Sequence, residues 1–360
     1  MTGLAGFSSS DVLDLASIKI KTLRGQSSVS GLSSGAFMTV QLHLAHSASF
    51  VGAGIVAGGP YRCAELFRAA APLAEDACIL TAMQIGMAPL TESTAPNARR
   101  CLQLAREAEA DRLIDPLSHL ASQRVYLFTG SRDKVVHPLV VAQTRAFYEA
   151  LGITGERLAY VDNIPAGHSL ITSNPEDSEL SQNCPPYLNN GGFMQSHEIL
   201  RHLYPGLKPP AQRLGGQLLR FDQGPFIGNA ERASMSRFGY LYVPQAVLDG
   251  APARVHIALH GCKQGYAYTD FLYGRADKAN QPPYGTRYVT STGYNQMADT
   301  NDLVVLYPQA EGRDNNKAQN PDGCWDWWGY SAADAQAPDY FSQQAVQIKA
   351  IHDMLSCLGA

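Results

Sequence analysis

Several features that would send the reading elsewhere are missing from this chain. No apolar run approaches the roughly 18 residues that a bilayer-crossing helix needs, so no membrane span is expected. Lys and Arg number 28 against 32 Asp and Glu, a formal net charge of -4, and no basic block occurs, so the electrostatic footprint of a nucleic-acid binder is lacking. The seven cysteines, Cys63, Cys78, Cys101, Cys184, Cys262, Cys324 and Cys357, contain no Cys-x-x-Cys pair, which excludes zinc-ribbon and thioredoxin-type sites. Their number is odd, so at least one thiol is free unless it pairs with another chain. Buried reduced thiols and a few remnant bridges both stay open. The first 25 residues carry Asp11 and Asp14 among short apolar pieces, without the basic start and apolar core of a signal peptide. The expectation is a cytoplasmic protein, or a secreted one if the natural N-terminus has been trimmed. What remains is 360 residues with 45% hydrophobic and 17% charged side chains, enough for a large buried core in one big or two ordinary domains.

The most informative stretch is Val29-Ser30-Gly31-Leu32-Ser33-Ser34-Gly35-Ala36-Phe37-Met38. Gly-x-Ser-x-Gly between a strand-like run and a helical pattern is the mark of a nucleophile elbow. Small residues are needed where the strand turns sharply into the helix, and the serine Oγ is left exposed. Ser33 is the candidate nucleophile, and the backbone N–H of Ser34 is aimed at the oxygen that becomes negative during acyl transfer. Phe37, Val40, Gln41 and Leu44 follow at helical spacing, and Phe50 to Ala57 reads as a buried strand ending in Gly58-Gly59-Pro60.

A serine hydroxyl needs a histidine base and an acid that fixes the imidazole tautomer. In α/β-hydrolases these follow the serine in the order acid, then histidine, on loops after sheet strands. The run 124–130 reads as a buried strand ending in Ser131-Arg132-Asp133, which makes Asp133 the candidate acid; 139–151 reads as an amphipathic helix. The run 157–161 is a further strand, and the loop after it ends in Gly167-His168, which makes His168 the candidate base. Asp162 is the rival acid. His137 reads as a polar loop residue or pocket wall, and His43 and His46 read as a solvated helix face.

In an esterase of this fold, an antiparallel hairpin and a strand ending in His-Gly precede the elbow. Here they follow it, as Gly239 to Pro244 and Arg254 to Cys262, with a helix at 294–298 and a buried strand at 303–308 after them. The two halves have exchanged order, which is permissible because termini at a domain surface can be joined and a new break opened elsewhere. The expected organisation is one α/β-hydrolase domain over 1–360, with a triad segment 1–204, a Pro/Gly-rich connector 205–216 and a segment 217–360 carrying the oxyanion loop. In that arrangement the strand 254–259 lies beside the strand that leads into Ser33. Two independent domains split near residue 210 are the alternative.

Gly31-Leu32-Ser33-Ser34-Gly35, Ala57-Gly58-Gly59-Pro60-Tyr61-Arg62-Cys63, Thr129 to Asp133, His260-Gly261-Cys262-Lys263-Gln264, Gly293-Tyr294-Asn295, Leu306 to Ala310 and Gly323-Cys324-Trp325-Asp326-Trp327 together resemble the circularly permuted catalytic domain of poly(3-hydroxybutyrate) depolymerases. The resemblance covers about residues 27–330. It implies a triad of Ser33, Asp133 and His168, an oxyanion hole formed by the N–H groups of Ser34 and Cys262, and a cleft lined by Trp327, whose indole N–H bonds the ester. It also implies a Cys262 to Cys324 bridge, which ties the tryptophan loop to the oxyanion loop, and a Cys63 to Cys78 bridge. Neither metal nor organic cofactor is implied.

The chain departs from the extracellular members in showing no leader, linker or polymer-binding domain, so amorphous polymer or 3-hydroxybutyrate oligomers are the expected partners. An exposed apolar patch around the tryptophans would suit a polymer granule surface. The segment 65–112 carries little of the family pattern and reads either as a lid or as packing. Cys184 lacks a nearby partner and is expected as a thiol. A carboxylesterase of feruloyl or acetylxylan type is the alternative enzyme, and a non-catalytic granule-binding protein the alternative from another class. Trp327 as a plain core residue is the alternative to its place in the cleft.

Overall fold

The computed structural model describes residues 12–66, 82–269, 284–315 and 318–360. Its strands, in chain order, are β1 (Val12–Leu13), β2 (Lys21–Thr22), β3 (Ser27–Leu32), β4 (Phe50–Val56), β5 (Arg124–Phe128), β6 (Leu158–Val161), β7 (Leu170–Thr172), β8 (Ser178–Glu179), β9 (Leu188–Asn190), β10 (Gln217–Asp222), β11 (Phe238–Val243), β12 (Pro252–Leu259), β13 (Leu303–Tyr307), β14 (Arg313–Asn315) and β15 (Ala318–Asn320). Ten of them form one sheet in the order β1-β10-β11-β13-β12-β3-β4-β5-β6, with β2 beside β12. From β13 through β12, β3, β4 and β5 to β6 every pairing is parallel, whereas β10, β11 and β13 pair antiparallel.

Strands covered on both faces read as unbroken apolar runs, which is why Leu303-Val304-Val305-Leu306-Tyr307 is buried throughout. On one face lies helix α1 (Ser34–Ala45), against which the helices Pro138–Ala150 and Val346–Cys357 pack. On the other, Ile199 of the helix Gln195–Leu203 reaches Gly54 of β4. The fold is an α/β-hydrolase with exchanged order: β10 to β13 come last in the chain yet occupy the first half of the sheet.

The joint between the halves is the parallel pairing of β12 with β3, His256 opposite Ser28 through Leu259 opposite Gly31. This is the adjacency expected for the strands that end at His260 and Ser33. A buried network crosses it. His256 places Nδ1 2.6 Å from Ser28 Oγ and Nε2 2.8 Å from Ser30 Oγ, and Ser30 Oγ lies 2.6 Å from the Tyr294 hydroxyl. The connector is irregular and is tied down by side chains, with Lys208 N–H donating to Asn301 and the N–H groups of Gly215 and Gly216 to Asp299.

Two expectations need correction, and one left open is partly answered. β11 pairs antiparallel with both β10 and β13, and β13 separates it from β12. His43 is not on a solvated face, because all of α1 is buried between the sheet and its covering helices, and His46, the residue after α1, is half-buried. His43 bonds the Tyr148 hydroxyl and Gln123 Oε1, and His46 stacks on His352 with ring centroids 3.6 Å apart. In the segment 65–112 the helix Ala98–Ala110 packs on Pro138–Ala150, while 67–81 lies outside the described residues.

Candidate active site

Ser33 sits where β3 turns into α1, with φ 57° and ψ -125°. That is a sparsely populated conformation for a side-chain-bearing residue, typically costing about 1–3 kcal/mol, and it persists only where the surroundings over-determine it. The two glycines show how tight the turn is. A Cβ on Gly31 would stand 2.3 Å from the Gly35 carbonyl, and one on Gly35 would stand 2.4 Å from the carbonyl oxygens of Leu259 and His260. The elbow thus rests directly on the end of β12.

Asp133 follows β5 and is 5% exposed; His168 follows β6 and is 1% exposed. Asp133 Oδ1 accepts the N–H groups of Val135 and Val136 at 2.8 and 2.9 Å, which leaves Oδ2 to bond His168 Nδ1 at 2.8 Å. A carboxylate accepts only, so Nδ1 carries the proton and Nε2 is the basic nitrogen. Ser33 and His168 line one cleft of about 380 Å³. The rival acid Asp162 is exposed and makes no hydrogen bond to His168 among the described residues, and His137 is the exposed N-cap of Pro138–Ala150.

Ser34 and Cys262 line the same cleft, and their backbone N–H groups donate to no protein group among the described residues. Gly261 brings the second donor in, since a Cβ there would touch Ser33 Cβ at 3.2 Å. His260 orients it. The Ala310 N–H donates to His260 Nε2 at 3.1 Å, so the ring proton is on Nδ1 and is donated to the Gly261 carbonyl at 2.7 Å. Burial holds the His260 pKa down at about 4, so the ring stays neutral in this tautomer.

The Cys262 to Cys324 disulfide is present and joins the oxyanion loop to the tryptophan loop. Cys63 is a free buried thiol, and its expected partner Cys78 lies outside the described residues; Cys184 is a free exposed thiol. Trp325 N–H donates to Ser34 Oγ at 3.2 Å, a second tie between the loops. Asp326 folds the rest of the tryptophan loop around itself. Its Oδ1 accepts N–H groups from Trp328, Gly329 and Tyr330, and its Oδ2 accepts the N–H and hydroxyl of Ser331. Burial raises the Asp326 pKa, opposed by these donors.

Trp327 is 3% exposed yet lines the cleft, stacked on Phe37 with centroids 3.9 Å apart. A Cβ on Gly86 would meet its ring at 2.8 Å, so this part of the segment 65–112 packs against the tryptophan. Trp325 is fully buried and Trp328 half-buried, so among the described residues the tryptophans form no exposed apolar patch of the kind that would suit a granule surface.

Two residues that sequence reasoning passed over hold the site together. Asn183 Oδ1 accepts the N–H groups of both Lys134 and His168 at 2.9 Å, and its Nδ2 donates to the Arg132 carbonyl at 3.1 Å, stapling the acid loop to the histidine loop. Gln264 accepts the Gly261 N–H and donates to the Pro186 carbonyl, both at 2.6 Å. Asn183 carries no local signal, since its partners lie on distant loops, and Gln264 stands in the His260–Gln264 motif but its hold on Pro186, 78 residues away, shows only in the folded chain.

No protein-family model matches the sequence. A poly(3-hydroxybutyrate) depolymerase of Delftia acidovorans is 35% identical over 349 residues, 96% of this chain and 62% of that protein. A polyhydroxybutyrate depolymerase of Talaromyces funiculosus is 32% identical over 320 residues, 86% of this chain and 83% of that protein. Among solved structures, a PHB depolymerase complexed with an R3HB trimer matches with TM-score 0.78 at 29% identity, covering 94% of this chain and 97% of that one. The PHB depolymerase from Penicillium funiculosum matches with TM-score 0.77 at 30% identity and the same coverage. The chain thus spans less than two thirds of the Delftia relative's length.

Proposed function

The chain belongs to the poly(3-hydroxybutyrate) depolymerase family, and from that premise we propose that it is a serine esterase that hydrolyses poly(3-hydroxybutyrate) or its oligomers through an acyl-enzyme on Ser33. The observation that carries the reading is the buried Asp133–His168 hydrogen bond facing the same cleft as the strained Ser33.

In this reading Ser33 Oγ attacks the ester carbonyl carbon while His168 Nε2 takes its proton. Asp133 holds the ring and stabilises the imidazolium. The negative oxygen is met by the N–H groups of Ser34 and Cys262, fixed before the reaction and worth several kcal/mol in a site of this kind. His168 then gives its proton to the departing 3-hydroxyl oxygen, the C–O bond breaks, and water repeats the sequence on the acyl-enzyme. Trp327 forms a flat apolar wall for the methyl-bearing repeat, with its indole N–H available as a donor.

The test is product analysis after incubation with amorphous poly(3-hydroxybutyrate) and, separately, with a feruloyl ester. Release of 3-hydroxybutyrate or its short oligomers, with little feruloyl turnover, is expected. Feruloyl turnover alone would support the carbohydrate-ester reading, and binding to the polymer without release would support a non-catalytic protein.

A further inference from the structure

Tyr187 is placed and strained in a way that neither the fold nor the triad explains. It lines the cleft, and its ring meets the His168 imidazole edge-on, centroids 5.2 Å apart and planes at 81°. Its φ is 55°, a left-handed backbone that a bulky residue adopts only where the surroundings demand it. Those surroundings are visible. The Tyr187 N–H donates to the Cys184 carbonyl, and its own carbonyl accepts the Leu170 N–H, two residues past His168. The preceding Pro186 carbonyl is held by Gln264, whose other end holds Gly261 of the oxyanion loop. The ring is therefore fixed relative to both the base and the oxyanion donors. Its hydroxyl has no partner among the described residues, although it is half-buried in a polar-capable cleft. Burial pushes its pKa up to about 12, so the group stays a neutral donor over the working range of a histidine base.

We infer that the Tyr187 hydroxyl is a substrate contact on the leaving-group side, donating to the carbonyl of the 3-hydroxyacyl unit that departs. The inference rests on the esterase reading above. His168 must protonate the departing oxygen, so a side chain standing against the His168 ring borders the departing group. In a 3-hydroxyacyl unit the next carbonyl is separated from that oxygen by two carbons, which brings it past the imidazole and toward the phenol. A leaving alcohol without that carbonyl has nothing for the hydroxyl to bond. Tyr187 thus selects for esters whose leaving group is itself a 3-hydroxy acid derivative.

The experiment compares Tyr187→Phe with wild type on two butyrate esters, ethyl 3-(butanoyloxy)butanoate, whose leaving alcohol carries the carbonyl, and sec-butyl butyrate, whose leaving alcohol lacks it. Phenylalanine keeps the ring against His168 and removes only the hydroxyl. One neutral hydrogen bond corresponds to roughly a 3- to 10-fold loss of kcat/KM on the first ester, with a change below about twofold on the second. An equal loss on both esters would place Tyr187 in His168 packing and overturn the inference, and so would no loss on either. Wild-type hydrolysis of the (R)-3-hydroxybutyrate trimer is run beside them. Failure there with intact turnover of the simple esters would overturn the depolymerase reading, while the ester pair would still decide the role of Tyr187.

Discussion

In the proposed mechanism a single peptide unit, that between Gly261 and Cys262, decides whether the second oxyanion donor is available. In a trans peptide the carbonyl and the N–H point in opposite directions. By donating Nδ1–H to the Gly261 carbonyl, His260 turns the Cys262 N–H toward the cleft, and the Ala310 N–H locks the tautomer that allows this. His260 is a positioning residue in this account. His260→Phe should lower kcat on a short p-nitrophenyl ester by roughly 10- to 100-fold, approaching the loss of an oxyanion donor, with KM changed by less than about twofold. His260→Gln, which can still donate to that carbonyl, should recover part of the loss. Steady-state kinetics of the two variants check this; a raised KM with unchanged kcat would contradict it.

At the scale of elements, the main strands were legible because a strand buried on both faces writes an apolar run into the sequence, as in 124–128 and 303–307. The elbow was legible because its backbone crowding admits only small residues at Gly31 and Gly35. Other elements left no such trace. β7, β8 and β9 are two or three residues long, too short for a period to show. The strand β10, second in the sheet after β1, and the C-terminal helix Val346–Cys357 were not recognised, although that helix is what buries part of α1. This is why His46, which stacks on His352 of that helix, was misread, whereas His43 is covered by Tyr148 and Gln123, whose packing on α1 the sequence does not display. A helix covered on all sides has no polar face, so its histidines look like any others until the covering helix is known. The site followed the same division. Ser33, Asp133 and His168 occupy loops that the strand pattern locates, whereas Asn183, Gln264 and Tyr187 are recognisable only once distant turns are brought together.

At the scale of the whole molecule, the exchanged order makes the β12–β3 pairing the joint between the two halves of the candidate site, with His256 clamped across it. Burial holds His256 and His46 down at about 3, and His43 and His260 at about 4, against an ordinary value of 6.5. The folded protein keeps these rings neutral. On unfolding each returns to its ordinary value, so between about pH 6.5 and about pH 3 the unfolded chain binds protons that the folded one does not. Stability from this source is complete above about pH 6.5 and is lost on acidification through that window. Calorimetry should show Tm falling by several degrees between about pH 7.5 and about pH 5. An unchanged or higher Tm at the lower pH would mean that the rings are not held neutral.

The most direct test of the account as a whole is the hydrolysis of the (R)-3-hydroxybutyrate trimer by Ser33→Ala, His168→Ala and the double variant. Because nucleophile and base act as one unit, each single change should lower kcat by roughly 10⁴- to 10⁶-fold, and the double variant should fall no further than the worse single one. A Ser33→Ala enzyme that keeps turnover within about tenfold of wild type, or a double variant whose loss is the product of the two, would contradict a common catalytic unit built from Ser33 and His168.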